Sequence, residues 1–548
     1  PTQIWTQGET ESSSCWFPTI DKPNQKTTQE IYITVPEHFV TLSNGILKSS
    51  QKEKSGQRTD YWVMDKKHAP YLFFLGAGEY SMIKDTPWRG KVPIDYYVEK
   101  EYANVAKQIF GKTSEMMEYF SKLLNYDYPW QKYAQITARN YVSGAMENTT
   151  AVIHGENAQQ TAEQLADENT WESVIAHELF HHWFGDLVTA ESWANLTVNE
   201  SFANYSEALW FWHKYGQDAG DYHLSQDVGE YKHSNSFRKH LVRFNYNDRE
   251  EMFDRVSYNK GGAILHMLRD YLGDEAFFQG ISLYLKENEF GTGEAHKIRI
   301  ALEKISGKDL NWFFNQWYYN YGHIVMTPKV SYDTTKKQAI VKIIQSDSLQ
   351  FQFPLEIDLY AAGKYQRKRV WVDAKTENTF LFPLETKYNL VNIDPRGVLL
   401  ADENEYKNAD EYLFQYKNAK DFKSRNQAIS YAIKQKNIDI LKLALNDPFF
   451  RLRVKALENL EVCLPIVEKL ASSDPENLVR GAATTLLSYL IDPKYKPIFE
   501  KGMNSGSNSV KIASTIGLLA YDPSKVTDYI DKIDLNQLNF DQISLFLP

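Results

Sequence analysis

Residues 171–184 read Trp-Glu-Ser-Val-Ile-Ala-His-Glu-Leu-Phe-His-His-Trp-Phe. Its apolar residues recur at intervals of three and four, which predicts a helix that Asn169 caps and Gly185 ends. On such a helix His177 and His181 lie one turn apart and project from the same face. The spacing therefore predicts that both imidazoles bind one metal ion.

Three glutamates extend this predicted metal site. Glu178 stands beside the metal but is angled away from ligation, which is where a general base for a metal-activated water belongs. A catalytic zinc ion takes three protein ligands and keeps one open position. Glu200 follows His181 after 18 intervening residues, enough for the chain to turn back, so we predict it as the third ligand and expect one Zn²⁺ per chain. Glu207, two turns further along the same predicted helix, is expected to accept a hydrogen bond from a ligand imidazole.

The periodicity of apolar residues changes along the chain and divides it into four parts. Residues 1–86 read as β, residues 87–323 as largely helical, residues 324–402 as β again and residues 403–548 as helical. The predicted strands are Glu30–Val35, Tyr71–Leu75, Gln338–Ile344, Leu355–Tyr360 and Arg369–Val372.

The helical tail repeats an Asp-Pro step, in which Asp can cap a helix and Pro can take its first position. Similar apolar stretches follow most of these steps, which predicts stacked helix pairs of HEAT-like character. An ordinary irregular helical domain is the alternative, since the spacing is uneven. The steps begin at Asp447, Asp474, Asp492 and Asp522.

Length and composition limit the classes of protein. A chain of 548 residues is too long for one hydrophobic core. The net charge of −10 and the lack of a basic tract argue against a nucleic-acid partner. No apolar run approaches the roughly 18–20 residues of a membrane helix, so we expect no membrane insertion. Cys15 and Cys463 match no zinc or redox pattern and exclude a disulfide-built scaffold.

The start of the chain carries no targeting signal. It opens with Pro-Thr-Gln, without a Met or an apolar leader, so we expect either a removed leader or a segment of a longer protein. The compartment, cytoplasmic or periplasmic and secreted, stays open at this point, and so does the oligomeric state.

Two motifs together resemble one enzyme family. His-Glu-x-x-His, 18 residues and Asn-Glu resembles the pattern of the gluzincin zinc aminopeptidases, the relatives of aminopeptidase N and leukotriene-epoxide hydrolase. Upstream, Gly144, Ala145, Met146, Glu147 and Asn148 match that family's GAMEN exopeptidase signature. The resemblance covers most of the chain and implies a zinc-dependent aminopeptidase that hydrolyses the N-terminal peptide bond of peptides.

The resemblance also implies a multidomain α+β fold. Its parts are a partial N-terminal β saddle domain (1–86), a thermolysin-like catalytic domain (87–323), a small β-sandwich (324–402) and a HEAT-like helical domain (403–548). The family's N-terminal domain is longer than the β part here, so its first strands are expected to be missing. Further departures are Ser201, where the family usually has Gly, and Asp186, where it usually has Asn.

A peptide with a free N-terminal amine is the partner that the resemblance implies. Glu147 matches the family's amine-binding glutamate, and Glu9, in Thr6-Gln7-Gly8-Glu9, matches a second anchor from the N-terminal domain. Carboxylates are the natural partners of an ammonium group away from bulk water. The backbone of residues 144–148 would pair with the peptide in strand fashion, and Met146 would line the pocket for its first side chain.

The same resemblance assigns a catalytic tyrosine. Ser257-Tyr258-Asn259-Lys260-Gly261-Gly262 resembles the family's segment with a tyrosine before a Lys-Gly pair, which implies that Tyr258 stabilises the oxyanion. Glu178 would take the proton of the water and pass it to the leaving amine.

Three other functions fit the sequence less well. Epoxide hydrolysis is disfavoured because relatives with that activity carry a tyrosine and an aspartate where this chain has Phe253 and Glu250. A thermolysin-type endopeptidase is disfavoured because Glu9 and the GAMEN segment would block the non-primed side. A non-catalytic scaffold is disfavoured because the predicted ligands, Glu178 and Tyr258 are all retained.

Overall fold

The structure is a computed structural model that describes residues 2–54, 56–345, 348–460, 465–525 and 528–529. Cys463 and most of the predicted helical tail beyond residue 525 lie outside the described residues. The chain forms two compact units: residues 1–159 with 171–406, and residues 160–170 with 407–548. The second unit therefore includes a short segment from the middle of the sequence.

The first unit begins with β-strands. They form two three-stranded antiparallel sheets, in the orders β1–β6–β3 and β2–β5–β4. The prediction for Glu30–Val35 is confirmed, whereas Tyr71–Leu75 is wrong: Pro70–Leu72 form a 3₁₀ turn, and only Leu75 belongs to a strand. Tyr71 and Leu72 are fully buried, so their apolar character reflects core packing and not a strand. The strands are β1 Gln3–Trp5, β2 Thr27–Pro36, β3 Val40–Ser43, β4 Ile46–Lys52, β5 Gln57–His68, β6 Leu75–Gly78 and β7 Ser81–Lys84.

The next part of the first unit combines a sheet with helices. The sheet has the order β10–β11–β9–β8–β7, with β8, β9 and β11 parallel and β10 at an edge. The prediction of a largely helical region missed these strands. Tyr133–Ala138 and Ala151–Gly155 are buried at every position, so neither shows the alternation that marks a half-buried strand. The strands are β8 Ile94–Val98, β9 Tyr133–Ala138, β10 Ala145–Met146, β11 Ala151–Gly155, β12 Thr189–Ala190 and β13 Thr292–Gly293.

Helices pack beside this sheet. Helix α5 contacts α4, α6 and α7 and so lies at the centre of the helical layer. The helices are α1 Ala106–Phe110, α2 Thr113–Leu123, α3 Ala162–Asp167, α4 Glu172–Phe180, α5 Thr197–Tyr215, α6 Gln217–His233, α7 Gly261–Leu272, α8 Asp274–Asn288, α9 Ala295–Ser306 and α10 Asn311–Trp317, of which α3 belongs to the second unit.

The first unit ends in a second β region. Its sheets have the orders β18–β15–β14–β20 and β17–β16–β19. The three strands predicted here are confirmed within β15, β16 and β17. The strands are β14 Ile324–Asp333, β15 Gln338–Ile344, β16 Phe353–Ala361, β17 Lys364–Val372, β18 Glu377–Pro383, β19 Leu390–Ile393 and β20 Ala401–Glu403.

The second unit is helical where it is described. Contrary to the prediction, the Asp-Pro steps at Asp447 and Asp474 do not place Pro at the first helical position. Each Asp accepts a hydrogen bond from the backbone N–H two residues later, and the helix begins three residues after the Asp. Asp492 does cap a 3₁₀ turn with Pro493 at its first position. The helices are α11 Ala409–Asn418, α12 Phe422–Gln435, α13 Ile438–Ala444, α14 Phe450–Glu458, α15 Pro465–Ser473, α16 Asn477–Ser488, α17 Lys496–Gly502 and α18 Asn508–Tyr521.

The segment 160–170 is held by side chains from the starts of three of these helices. Arg451 of α14 pairs with Glu168, and Lys511 of α18 pairs with Glu163. Asn477 of α16 donates to a backbone carbonyl of α3 at 2.6 Å. An acidic segment is thus bound by three helices of the second unit, α14, α16 and α18. In the part of the chain that the structure describes, no helix is both long and apolar enough to cross a membrane.

Candidate active site

Helix α4 carries the predicted metal ligands but is shorter than predicted. It ends at Phe180 instead of Phe184, and His181 is the C-cap residue. The backbone N–H of His181 still donates to the carbonyl of His177 at 3.2 Å, so the one-turn spacing is kept. Asn169 does not cap the helix; it accepts a hydrogen bond from Gln160.

Gly185 allows the chain to turn directly after the second histidine. Its φ of +140° is one that L side chains rarely adopt, and a Cβ there would lie 3.1 Å from His181 Nδ1. The turn therefore packs closely against the imidazole and depends on glycine at this position.

The three predicted ligands converge. His177 Nε2 lies 3.3 Å from Glu200 Oε2, and His181 Nε2 lies 3.4 Å from the same oxygen. Ligand atoms bound about 2.0–2.1 Å from a tetrahedral zinc ion are about 3.3–3.4 Å apart, so this spacing suits zinc. Glu200 Oε2 is buried without a hydrogen-bond partner, which a metal ion would supply.

The other nitrogen of each imidazole is already engaged. His177 Nδ1 lies 2.9 Å from Glu207 Oε1, the contact that the sequence spacing predicts, and His181 Nδ1 lies 2.9 Å from the carbonyl of Phe184. Each Nδ1–H donates in these contacts, so Nε2 is the atom of each ring that would bind a metal ion beside Glu200. The outer contacts thus orient both rings for metal binding.

The site concentrates negative charge away from water. Carboxylate oxygens of Glu9, Glu147 and Glu200 lie within 4.8 Å of one another, and those of Glu147 and Glu178 lie equally close to His181. Burial, reinforced by Glu147, raises the pKa of Glu9 well above its usual range. Burial also raises the pKa of Glu178 to about 8, although the two imidazoles oppose the shift. Cations stabilise buried carboxylates that lie this close together. This cluster could hold two kinds of cation, a metal ion and the ammonium group of a substrate.

The pKa of the predicted ligand Glu200 is lowered, unlike the pKa values of the neighbouring Glu9, Glu147 and Glu178. Burial alone would raise the pKa of Glu200, but His181 and His177 lower it to about 2. Burial would likewise lower the pKa of His181, yet Glu147 and Glu200 raise it to about 10. Glu200 is therefore ionised at neutral pH, as a metal ligand must be.

Two of the GAMEN residues, Ala145 and Met146, form the edge strand β10; Gly144 precedes it, and Glu147 and Asn148 follow it. Ala145 pairs with His154, and Met146 pairs with Ile153. The carbonyl of Gly144 accepts a hydrogen bond from Gly155 at 2.8 Å. Since β10 lies at the sheet edge, its outer side can pair with an extended peptide.

Met146, in strand β10, contacts Gln7 from the start of the chain. The Met146 side chain is buried, and its sulfur lies 3.5 Å from Gln7 Nε2. Tyr141 donates to Gln7 Oε1 at 2.5 Å. Asn148 is also buried, but neither polar atom of its side chain has a hydrogen-bond partner. Among the five GAMEN residues, Asn148 is therefore the one for which the described contacts give no role.

Tyr258 lies beside the predicted metal ligand His177. Its ring stacks on that of His177, with centroids 6.0 Å apart and planes 9° apart. It belongs to a π-helical turn, Val256–Lys260, and such turns occur often at functional sites. Burial and the surrounding carboxylates, Glu200 first among them, raise the pKa of Tyr258 well above its usual value. The phenol therefore keeps its proton at neutral pH and can donate it in a hydrogen bond.

Ser201, one of the departures from the family pattern, supports the tyrosine turn. Its hydroxyl donates to the carbonyl of Ser257 at 2.7 Å. A Cβ on Gly261 would lie 1.8 Å from the same hydroxyl oxygen, so only glycine fits there. The helix with the ligand Glu200 and the turn with Tyr258 are thus fastened to each other.

The two positions that bear on epoxide hydrolysis are engaged elsewhere. Glu250 accepts a hydrogen bond from Thr10 at 2.7 Å. The ring of Phe253 packs against Trp193, with centroids 5.9 Å apart.

Sequence reasoning missed several residues around the site. His223 contacts Glu207, the partner of the predicted ligand His177, and Asp227 contacts Asn259 in the turn that carries Tyr258. Lys26 donates to two backbone carbonyls just after helix α4, at 2.9 Å each. Tyr71 accepts a hydrogen bond from Asn199, the residue before the ligand glutamate, at 3.2 Å. No motif marks them, since each reaches the site only through tertiary packing.

Two protein-family models match parts of this chain. The model of the Peptidase M1 N-terminal domain matches residues 1–72, and that of the Peptidase family M1 domain matches residues 109–317. The chain is 28% identical to Tricorn protease-interacting factor F2 of Thermoplasma volcanium over 439 residues, which are 73% of this chain and 53% of that protein. It is 29% identical to Aminopeptidase N of Streptomyces lividans over 344 residues, which are 60% of this chain and 39% of that protein. The chain thus spans about half or less of these relatives.

A solved structure extends the likeness over the whole chain. The crystal structure of Legionella pneumophila aminopeptidase A in complex with aspartic acid aligns with a TM-score of 0.76, covering 99% of this chain and 68% of that one at 20% identity. At that identity the likeness concerns the fold. Both matched models are of Peptidase M1 domains, and the chain belongs to the M1 family of peptidases.

Proposed function

We propose that this protein is a zinc-dependent aminopeptidase that removes the N-terminal residue of peptides by means of an activated water. The observation that carries the proposal is the meeting of two sets of groups in one buried site. One set, His177, His181 and Glu200, suits a metal ion, and the other, Glu147 with Glu9, suits an ammonium group. The relatives named aminopeptidase support the same activity.

Zinc is the metal that this set fits best. Two imidazole nitrogens and one carboxylate oxygen are a usual ligand set of catalytic zinc, which keeps a fourth position open. When bound, zinc would lower the pKa of a water and polarise the scissile carbonyl. As ligands, His177 and His181 would be neutral and would bind through Nε2, with their Nδ1–H groups donating to Glu207 and to the Phe184 carbonyl.

Glu178 and Tyr258 would carry the proton transfer and the charge stabilisation. Glu178 Oε2 is buried without a hydrogen-bond partner, so it is free to accept a proton from water and pass it to the leaving amine. The Tyr258 hydroxyl would donate to the oxygen that becomes negative as the carbonyl carbon turns tetrahedral. Burial makes both groups effective, because they act without competition from bulk water.

Exopeptidase character would come from Glu147 and Glu9. An ammonium group between them relieves the repulsion of two adjacent buried carboxylates, whereas a blocked N-terminus leaves it in place. Residues 144–148 would hold the peptide backbone along the edge strand β10, with Met146 beside the first side chain. Only the first peptide bond would then reach the metal.

We also propose the finer domain division. It consists of a saddle-like β domain to residue 86, a thermolysin-like domain at 87–323, a β-sandwich at 324–402 and a HEAT-like domain from 403. A repeated buried pair supports the last assignment, since Arg425 pairs with Asp447 at 3.1 Å and Arg453 pairs with Asp474 at 2.9 Å. Equivalent contacts in successive helix pairs are typical of stacked repeats.

Metal analysis gives the first test. We expect about one zinc per chain, since three ligands with one open position describe a single catalytic site. Elemental analysis after dialysis measures this, and His181→Ala is the control that should lose the metal. Wild-type protein that contains no zinc and gains no activity from added zinc would contradict the proposal.

The decisive test compares one short peptide in free and N-acetylated forms. Hydrogen bonds to a charged group contribute about 1.5–3 kcal/mol, so the free peptide should have a kcat/KM roughly 10- to 150-fold higher. Glu147→Ala should raise KM for the free peptide and narrow this difference.

Product analysis of the same reactions separates exopeptidase from endopeptidase action. We expect single residues released in order from the N-terminus of the free peptide. Equal rates for both forms, or internal cleavage of the acetylated peptide, would identify an endopeptidase instead.

A further inference from the structure

Helix α6 contributes two polar side chains that contact residues next to the predicted metal site. His223 and Asp227 are one turn apart and therefore lie on the same face of the helix. Asp227 is buried and His223 is largely so, and neither is needed to bind metal or substrate directly. Buried polar groups are costly unless they have partners, so their contacts indicate what they do.

The first contact reaches the metal ligands. His223 Nε2 lies 3.0 Å from Glu207 Oε2, in a charge contact that is not well aligned as a hydrogen bond. The other oxygen of Glu207 accepts from His177 Nδ1. One carboxylate thus bridges an imidazole of α6 and a predicted ligand. The ring of His223 is held in place by stacking on Phe211, with centroids 5.1 Å apart.

The second contact reaches the tyrosine. Asp227 Oδ1 accepts a hydrogen bond from Asn259 Nδ2 at 2.9 Å, and Asn259 directly follows Tyr258 in the π-helical turn. A π turn does not repeat the regular α-helical hydrogen-bond pattern, so side-chain contacts help to fix it. We call the contact of His223 with Glu207 the metal branch and the contact of Asp227 with Asn259 the tyrosine branch. Asn204 of α5 links the two branches, since it donates at 3.3 Å to Asp227 and at 3.4 Å to Glu207.

We propose that His223 and Asp227 are a positioning pair, which orients the ligand His177 through Glu207 and the catalytic Tyr258 through Asn259. This inference rests on the proposed function. Both branches start from one rigid helix turn, so the metal side and the oxyanion side of the site keep a fixed separation. That separation determines whether one substrate oxygen can meet the metal and the phenol together.

The metal branch has a readout that does not need activity. His223→Ala should speed the removal of zinc by a chelator about 10- to 100-fold, the usual scale for lost outer partners of ligand histidines. His223→Gln keeps a side-chain N–H donor but not the charge, so it should recover only part of the loss. Asp221→Ala is the matched control: Asp221 lies on the same helix but binds Trp212 and Gln217, so zinc removal should stay at the wild-type rate.

The tyrosine branch is tested by a double-mutant cycle on kcat. Asp227→Ala alone should lower kcat roughly 10-fold. In a Tyr258→Phe background the same change should cost less than about 2-fold, since a hydroxyl that is absent cannot be misplaced. Asn259→Ala breaks the same contact from the other side and should behave alike, so it decides the result if Asp227→Ala does not fold.

The outcomes separate this inference from the proposed function. Wild-type protein without zinc or without peptidase activity would refute the proposed function before any variant is measured. The wild type could be active while Asp227→Ala and Asn259→Ala lower kcat by the same factor with and without the Tyr258 hydroxyl. That result would overturn the tyrosine branch alone. Zinc removal from His223→Ala at the wild-type rate would overturn the metal branch.

Discussion

The Glu178→Gln variant is expected to keep its zinc and to lose about 10²- to 10⁴-fold in kcat. The amide has the size and shape of the carboxylate, so the helix and its two histidines should be undisturbed. It cannot accept a proton from water, however, and among the described residues no hydrogen bond engages the Glu178 Oε2 that would do so. KM should change little, because substrate binding depends on other carboxylates.

The measurement is kcat on a free peptide together with the zinc content of the same sample. Glu172→Gln is the matched control, since Glu172 lies in the same helix, is buried and contacts Trp210 and Tyr215. That variant should lower the melting temperature and leave kcat nearly unchanged. A Glu178→Gln enzyme with full zinc and near-normal kcat would remove Glu178 from the mechanism.

Tyr258→Phe is expected to lower kcat about 10²- to 10³-fold, the scale on which other enzymes lose activity when one oxyanion donor is removed. The ring and its stacking on His177 remain, so zinc content and KM should stay close to the wild-type values. Because the hydroxyl acts only as negative charge develops, its loss should appear in kcat.

Steady-state kinetics separates the two parameters. Tyr205→Phe is the control: it removes the hydroxyl of a buried tyrosine on α5 that contacts His266. Its kcat should remain within about 2-fold of wild type. If Tyr258→Phe instead raised KM and kept kcat, the hydroxyl would serve ground-state binding.

The convergence of His177, His181 and Glu200 was predictable because their geometry is local or fixed by a short return of the chain. One helical turn brings His177 and His181 together, and the helix with Glu200 needs only a loop to come back. Glu207 followed from the same helical repeat. By contrast, His223 and Asp227 depend on the packing of α6 against α5, which no pattern within a single segment encodes.

The errors in the fold have a related cause. Periodicity distinguishes strands from helices only when one face meets water. The alternating strand Gln338–Ile344 has such a face and was predicted correctly. Tyr133–Ala138 has none, because both faces are covered, and it was assigned to a helical region. The end of α4 was missed for another reason: the residues after His181 are as apolar as those before it, but they form a turn.

The acidic segment 160–170 gives the helical unit an unusual folding requirement. Stacked helices normally fold through contacts between near neighbours in sequence, whereas the pairs Glu168–Arg451 and Glu163–Lys511 join residues 283 and 348 positions apart. Closing so long a loop costs little more free energy than closing a moderate one, but it delays completion of the unit until the intervening chain is in place. Separate expression of residues 407–548 would therefore omit a piece of that unit's own fold. The helices should then melt at a lower temperature than in the whole chain, and a synthetic peptide of residues 160–170 should restore part of the difference.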